Sequence, residues 1–238
     1  MKIRTILRPL ALLALLPLTA SAQMLFHEGF EVDPPEGQTI LGNLNGWQEA
    51  WNREGNSQAV LADSNLHWES PFPARGKAIQ INNTQQTAFR ELPESLNGKT
   101  VYFSFLFRYF QEDGGTGQLR FRSNEGHVMG VGFAEDRFFV RAHGTDASWG
   151  QTRTRETYMV IGRVQVSEDG GTIRISANAY TTKASIPLEL PDTWSGTAEH
   201  QGQPRRWNGV EFMAASQNVV YDDLRMGATW RDVAGTRR

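Results

Sequence analysis

The residues that could carry out chemistry in this chain do not have the spacing of a catalytic or zinc site. Five histidines are present, and none has the H-x-H or H-E-x-x-H spacing that places two imidazoles on one zinc ion. The chain contains no cysteine, so it has neither a thiol nucleophile nor a disulfide. No G-x-S-x-G segment provides the nucleophile elbow of a serine hydrolase. The sequence therefore identifies no catalytic residues.

Glu31, Asp33 and Glu36 form one carboxylate pattern that needs separate consideration. On an extended strand, Glu31 and Asp33 would point to the same side, and retaining glycosidases use two carboxylates about 5–5.5 Å apart. Pro34 and Pro35 follow directly and cannot donate hydrogen bonds within a central strand. We therefore interpret this segment as a turn after the first strand, and the sequence favours a protein without catalytic activity.

Three of the seven tryptophans lie in polar, glycine-rich surroundings that are typical of loops: Trp149, Trp194 and Trp207. Aromatic rings pack against the C–H groups of sugars, and the indole N–H adds a hydrogen-bond donor. These tryptophans are therefore candidate carbohydrate-binding residues. The alternative is that they pack in the core, as tryptophans in β-sandwiches also do.

Three arginines lie in predicted strands on the face opposite the most apolar residues: Arg108, Arg141 and Arg163. If their strands are neighbours, the three would line one sheet face. A guanidinium group binds a carboxylate or sulfate through two parallel hydrogen bonds, which would suit a uronic or sulfated polysaccharide. The alternative is that each pairs with an acidic residue on a solvent-facing surface.

The elements that must position these residues are predicted to be almost entirely β-strands. The clearest alternates along 100–110, with aromatic residues on both faces, which predicts a central strand covered on both sides. Ten further strands are predicted at 24–31, 78–81, 88–92, 118–122, 127–134, 137–142, 158–166, 172–180, 209–214 and 219–226. Glycine-rich turns separate several of them, and 33–75 and 187–208 are predicted to be long loops. The pattern predicts an all-β, antiparallel sandwich.

The N-terminus has the pattern of a cleavable signal peptide at residues 1–22. Basic residues precede an apolar run at 10–18, which is too short to span a membrane, and Ala20-Ser21-Ala22 matches a signal-peptidase site. We therefore expect a secreted or periplasmic protein without a membrane span. Export without cysteine is typical of a bacterial protein, and 23–238 has the length of a single domain.

The charge of the chain argues against nucleic acid as a partner. The full sequence has 24 basic and 26 acidic residues, and removing residues 1–22 leaves a net charge of −5. A protein that binds nucleic acid usually carries a basic surface.

The two ends of the predicted domain resemble concanavalin A-like, or laminin-G-like, jelly rolls. The first strand, Phe26-His27-Glu28-Gly29-Phe30-Glu31, is similar to the opening strand of such domains, and Tyr221-Asp222-Asp223-Leu224-Arg225-Met226-Gly227 is similar to their last strand. The resemblance implies a jelly-roll sandwich in which these two strands pair. It also implies a structural calcium ion, with Asp222 as one ligand and either Glu28 or Glu31 of the first strand as another.

Together these observations predict a noncatalytic module that binds carbohydrate, or acts at the cell surface, and recognises extracellular polysaccharide. Two alternatives stay open: a polysaccharide-cleaving enzyme, either lyase or glycoside hydrolase, on the same fold, and a purely structural envelope protein. The expected partner is a polysaccharide or cell-surface glycan, and the protein is expected to be a monomer.

Overall fold

The computed structural model of this chain describes residues 24–28, 52–54, 60–62, 66, 68, 78–81, 86–110, 114–143 and 145–235. At 24–28, 52–54, 60–62 and 86, only the backbone is described. The predicted signal peptide and the carboxylates at 31, 33 and 36 lie outside these ranges.

The strands of the described residues form two antiparallel sheets. The larger sheet has eight strands: β1 (Met24–Glu28), β3 (Val60–Ala62), β4 (Ala78–Ile81), β6 (Thr100–Tyr109), β11 (Tyr158–Val166), β12 (Thr172–Thr181), β13 (Gly196–Gln201) and β15 (Val219–Gly227). The smaller has seven: β2 (Asn52–Glu54), β5 (Gln86–Glu91), β7 (Thr116–Ser123), β8 (Val128–Ala134), β9 (Arg137–Ala142), β10 (Thr145–Trp149) and β14 (Trp207–Ala215). The predicted all-β, antiparallel sandwich is confirmed.

The strand order shows which strands are neighbours and where the chain passes from one sheet to the other. The eight-stranded sheet runs β13-β12-β11-β6-β15-β4-β3, with β1 also paired to β15, and the seven-stranded sheet runs β10-β9-β8-β7-β14-β5-β2. The chain repeatedly crosses between the two sheets, as in a jelly roll. The expected pairing of the first and last strands is confirmed, since Glu28 lies opposite Leu224 in the β1–β15 register.

Aromatic side chains from β6 build the centre of the core between the two sheets. Phe103 contacts Phe121 of the opposite sheet at 5.2 Å between ring centroids, and Phe107 stacks on Phe133 at the same distance. All four side chains are fully buried. Because residues two apart share a face of a strand, the alternation in β6 directs a continuous aromatic row inward.

The outer face of the eight-stranded sheet is also covered. A short helix, α1 (Trp230–Ala234), packs over this face, where Leu106 of β6 is fully buried. This confirms that β6 is a central strand covered on both sides. No helix in the described part of the chain is long and apolar enough to cross a membrane.

Candidate functional site

A pocket of about 480 Å³ opens where β6 ends and β11 begins. Arg108 lies one residue before the end of β6 and faces outward, because the next side chain, Tyr109, points into the core. The pocket is lined by three arginines, three threonines and one glutamate: Arg108, Arg153, Thr154, Arg155, Glu156, Thr157 and Thr182. We call this group the arginine pocket.

The loop between β10 and β11 provides most of this lining and is tied to neighbouring strands. The Thr152 N–H donates to the carbonyl of Asp136 at 2.6 Å. The Tyr109 hydroxyl donates to Oγ1 of Thr152 at 3.0 Å, and the Arg155 N–H donates to the carbonyl of Tyr109 at 2.8 Å. These bonds fix the loop on the rigid sandwich, so its side chains are presented in a defined arrangement.

Arg155 adopts a backbone conformation that is unusual for a residue with a side chain. Its φ angle is 64°, in the left-handed region that glycine occupies without steric cost. The left-handed conformation costs another residue about 1–2 kcal/mol. A glycine at position 155 would therefore adopt this backbone conformation at a lower cost in free energy. The Arg155 side chain is exposed in the pocket.

The described residues that line the arginine pocket contribute three guanidinium groups and a single carboxylate. Nε of Arg108 donates to Oγ1 of Thr157 at 2.9 Å, and a second nitrogen of the same guanidinium donates to the same oxygen. Arg153 and Arg155 are exposed, and within the described residues neither guanidinium makes a salt bridge. The pocket therefore has an excess of positive charge that is available to a ligand.

Glu156, the one carboxylate among the described lining residues, is hydrogen-bonded to a buried tyrosine. The Tyr158 hydroxyl donates to Oε2 of Glu156 at 2.9 Å and accepts a hydrogen bond from the Arg153 N–H at 2.7 Å. Burial raises the pKa of Tyr158, and the hydrogen bond to Glu156 raises it further. Tyr158 is therefore protonated at neutral pH and acts as a hydrogen-bond donor that holds Glu156.

The three arginines proposed from the sequence lie in different places. Arg108 and Arg163 are on the neighbouring strands β6 and β11, and Arg163 lies opposite Tyr102, six residues along β6 from Arg108. The condition that the three strands are neighbours fails for Arg141, because β9 belongs to the seven-stranded sheet. Arg141 instead forms a bidentate salt bridge with Asp146, and this hydrogen bonding raises the pKa of the Arg141 guanidinium.

The three candidate tryptophans differ in exposure. Trp207 is 1% exposed and its indole N–H donates to the carbonyl of Gly170 at 3.0 Å, so we assign it to core packing. Trp149 is half-buried and stacks on Phe138 at 5.7 Å between ring centroids. Trp194 is also half-buried, with the Arg163 guanidinium 5.3 Å from its ring centroid. Ligand contact by Trp149, Trp194 and Arg163 stays a prediction.

The proposed calcium ligands lie near each other in the β1–β15 pairing, although the Glu28 side chain is outside the described residues. Asp222 is 1% exposed and its carboxylate accepts hydrogen bonds from the N–H groups of Leu66 and Asp223, both under 3 Å. Among the described residues, no group of three or more His, Asp or Glu side chains is arranged to hold a metal ion. The calcium site therefore stays a prediction.

Sequence reasoning identified Arg108 but did not single out Arg153 and Arg155. A signal for them was present, since threonine and arginine alternate from Thr152 to Arg155 just before a predicted strand. What the sequence could not show is that this loop folds back beside the end of β6, about 45 residues earlier in the chain.

Comparisons with known proteins give only distant structural likenesses. No protein-family model matches the sequence, and no curated protein matches it. The exoplasmic/lumenal domain of VIP36 in its Ca²⁺/Man2-bound form is 8% identical, with a TM-score of 0.43, over 76% of this chain and 81% of that one. The carbohydrate-binding module CBM66 from Bacillus subtilis is 15% identical, with a TM-score of 0.37, over 68% and 91%.

A third solved structure, described as HCR/D-Sa-GBL1/C, is 12% identical, with a TM-score of 0.41, over 81% of this chain and 48% of that one. This chain therefore spans about half the length of that structure. With identities and TM-scores this low, a function can be argued only from the residues of this chain.

Proposed function

We propose that this protein binds an acidic polysaccharide, one that carries carboxylate or sulfate groups, at the arginine pocket, and that it does so without cleaving the ligand. The observation that carries the proposal is the convergence of Arg108, Arg153 and Arg155 around an open pocket whose described lining has a single carboxylate.

The charge of the pocket selects for an anion. The whole chain has a formal net charge of −2, so three arginines around one pocket are a local concentration of positive charge. Guanidinium groups pair with carboxylates and sulfates through two parallel, charge-assisted hydrogen bonds. Each such group on a polymer therefore has a matching partner in the pocket.

The other side chains of the pocket suit sugar hydroxyls. Thr154 and Thr182 carry hydroxyl groups that both donate and accept hydrogen bonds, as sugar hydroxyls do, whereas the buried hydroxyl of Thr157 holds Arg108. The volume of about 480 Å³ is within the range of small-ligand pockets and accommodates a few sugar units. If the chain is exported as residues 1–22 predict, the acidic polymers that it meets outside the cell include polysaccharides.

The strained backbone at Arg155 supports a role in binding rather than in folding. A glycine at this position would remove the strain and leave the N–H bond to Tyr109 intact, so stability alone does not favour arginine. Strain that is retained at an exposed, charged residue is typical of functional sites.

The chemistry of the pocket suits binding better than cleavage. A glycoside hydrolase uses a pair of carboxylates, whereas Glu156 is the single carboxylate of the described lining. A lyase needs a base, and Tyr158, which lies beside the pocket, has a raised pKa and donates a hydrogen bond to Glu156. Tyr158 is therefore poorly suited to act as a base at neutral pH.

Affinity electrophoresis with a panel of polysaccharides tests the proposal. Polygalacturonate, alginate and chondroitin sulfate should retard the protein, whereas neutral dextran should not. Arg153→Ala combined with Arg155→Ala should weaken retardation at least about tenfold, since a hydrogen bond to a charged group contributes about 1.5–3 kcal/mol.

A variant with Arg174→Ala and Arg206→Ala is the matched control. It removes the same charge from exposed positions at the other end of the sandwich. Equal weakening in both double variants would show that binding follows net charge and not the pocket. Retardation by dextran alone would overturn the acidic ligand.

A further inference from the structure

Three histidines meet at the end of the sandwich opposite the arginine pocket. The ring of His143 contacts that of His127 at 5.2 Å and that of His200 at 4.8 Å between centroids, both edge to face. They come from three separate segments: the β7–β8 turn, the β9–β10 turn and β13. No short-range sequence spacing predicts this cluster, because its members are 16 and 57 residues apart along the chain.

The cluster joins the two sheets where their edges meet. His200 belongs to β13, the last strand on one side of the eight-stranded sheet, whereas His127 and His143 lie in turns that connect strands of the seven-stranded sheet. Nearby, Trp149 of the edge strand β10 packs against Gly196 of β13. The histidines therefore extend the contact between two edge strands, and among the described strands β10 pairs with β9 alone.

We propose that His127, His143 and His200 form a pH-sensitive latch, which holds the β10 and β13 edges together at neutral pH and loosens them below about pH 6. Neutral imidazoles can pack edge to face as these do. Protonated imidazoles about 5 Å apart repel each other, and His143 would then lie between two other cations.

The charged groups around the cluster offset this repulsion only in part. Glu125, in the β7–β8 turn, lies 4.0 Å from His127, and both side chains are partly exposed, so the attraction between them is weak. Arg205, in the β13–β14 loop, adds positive charge beside His200. On the adjoining strands, the carboxylates already face arginines, Glu199 with Arg174 and Asp146 with Arg141.

The direction of the pH effect follows from His200. Burial lowers its pKa, and the charges of His143, Arg205 and His127 lower it further. The unfolded or opened chain therefore takes up protons more readily than the closed form. The latch is fully effective above the ordinary histidine pKa of about 6.5, and its stabilising effect is lost as the pH falls.

Amide hydrogen exchange at about pH 7.5 and about pH 5, corrected for the intrinsic rates, tests the latch. In the wild type, protection of segments 145–149 and 196–201 should fall at least about tenfold at the lower pH, while the central segment 158–166 keeps its protection. Two substitutions of the middle histidine separate charge from shape. His143→Phe keeps a ring in place but is never charged, so protection should be high at both pH values.

His143→Lys carries a charge at both pH values, so its edges should be poorly protected even at about pH 7.5. The latch is refuted if His143→Phe loses protection at low pH as the wild type does, or if His143→Lys is fully protected. Should His143→Phe fold poorly, His200→Phe replaces it, and NMR titration of the wild-type imidazoles gives an independent result. Three independent titrations with midpoints near 6.5 would overturn the proposal.

Discussion

Replacing Trp207 with phenylalanine distinguishes a core tryptophan from a ligand-binding one. The side chain is 1% exposed, and its Nε1 donates to the carbonyl of Gly170 in the β11–β12 turn of the opposite sheet. Its backbone is engaged as well, since the Trp207 N–H donates to Oδ1 of Asn97 and its carbonyl accepts from the Leu96 N–H. Trp207 thus connects β14 with two other segments.

Two losses determine the size of the effect of Trp207→Phe. Removing the indole N–H leaves the buried carbonyl of Gly170 without this donor, which costs about 1–3 kcal/mol. The smaller ring leaves a void, and we expect this void to lower the free energy of unfolding by about 1 kcal/mol more. We therefore expect the free energy of unfolding to fall by about 2–4 kcal/mol and the melting temperature by roughly 4–16 °C for a chain of this length.

Urea unfolding followed by far-UV circular dichroism measures the change without relying on tryptophan fluorescence. Trp194→Phe is the matched control, because Trp194 is half-buried and should lose less than about 1.5 kcal/mol. Glycan binding by Trp207→Phe at a temperature where it is folded should equal that of the wild type. Unchanged stability combined with lost binding would refute the assignment of Trp207 to the core.

Three further predictions follow from buried or strained positions. Burial raises the pKa of Tyr158 and Tyr221, so the folded protein holds these protons while the unfolded chain releases them. Stability should therefore fall as the pH rises above about 10, and Tyr221→Phe should reduce this loss in pH-dependent melting experiments. Gly162→Ala should lower the free energy of unfolding by about 1–3 kcal/mol in denaturant titrations, because a Cβ there would collide with the ring of Phe103. Arg155→Gly should leave thermal stability within about 1 kcal/mol of the wild type, or raise it, while weakening binding of polygalacturonate at least about tenfold in calorimetry. A large loss of stability in this variant would contradict the strain argument.

The sequence predicts those strands well whose side chains alternate between two environments. β6 and β11 were predicted to within a residue, because one face of each fills the apolar core and the periodicity is strong. β2, β3, β10 and β13 were missed, because the segments that contain β2, β3 and β13 were predicted to be loops and β10 was not predicted. All four stand at the ends of the strand orders. β10 and β13 have mostly polar side chains, TDASW and GTAEHQ, so burial does not impose a strict pattern on them.

The candidate site was harder to predict than the fold because it depends on contacts between distant segments. Arg108 could be identified from its place on a predicted strand, but its association with Arg153 and Arg155 depends on how the β10–β11 loop is tied down. Similarly, Trp207 looks like a loop tryptophan in the sequence, with polar neighbours on both sides. Its burial results from the β11–β12 turn, which lies about 40 residues away along the chain.

The most direct test of the proposed function compares one polymer with and without its charge. Isothermal titration calorimetry should detect binding of polygalacturonate oligosaccharides to the wild type and to the control variant with Arg174→Ala and Arg206→Ala. Binding should be lost when the carboxylates are reduced to alcohols, or when Arg108, Arg153 and Arg155 are all replaced by alanine. The same comparison with sulfated and desulfated chondroitin covers the sulfate ligand. Equal affinity for the charged and uncharged forms, or full affinity in the triple variant, would contradict recognition of an acidic polysaccharide by the arginine pocket.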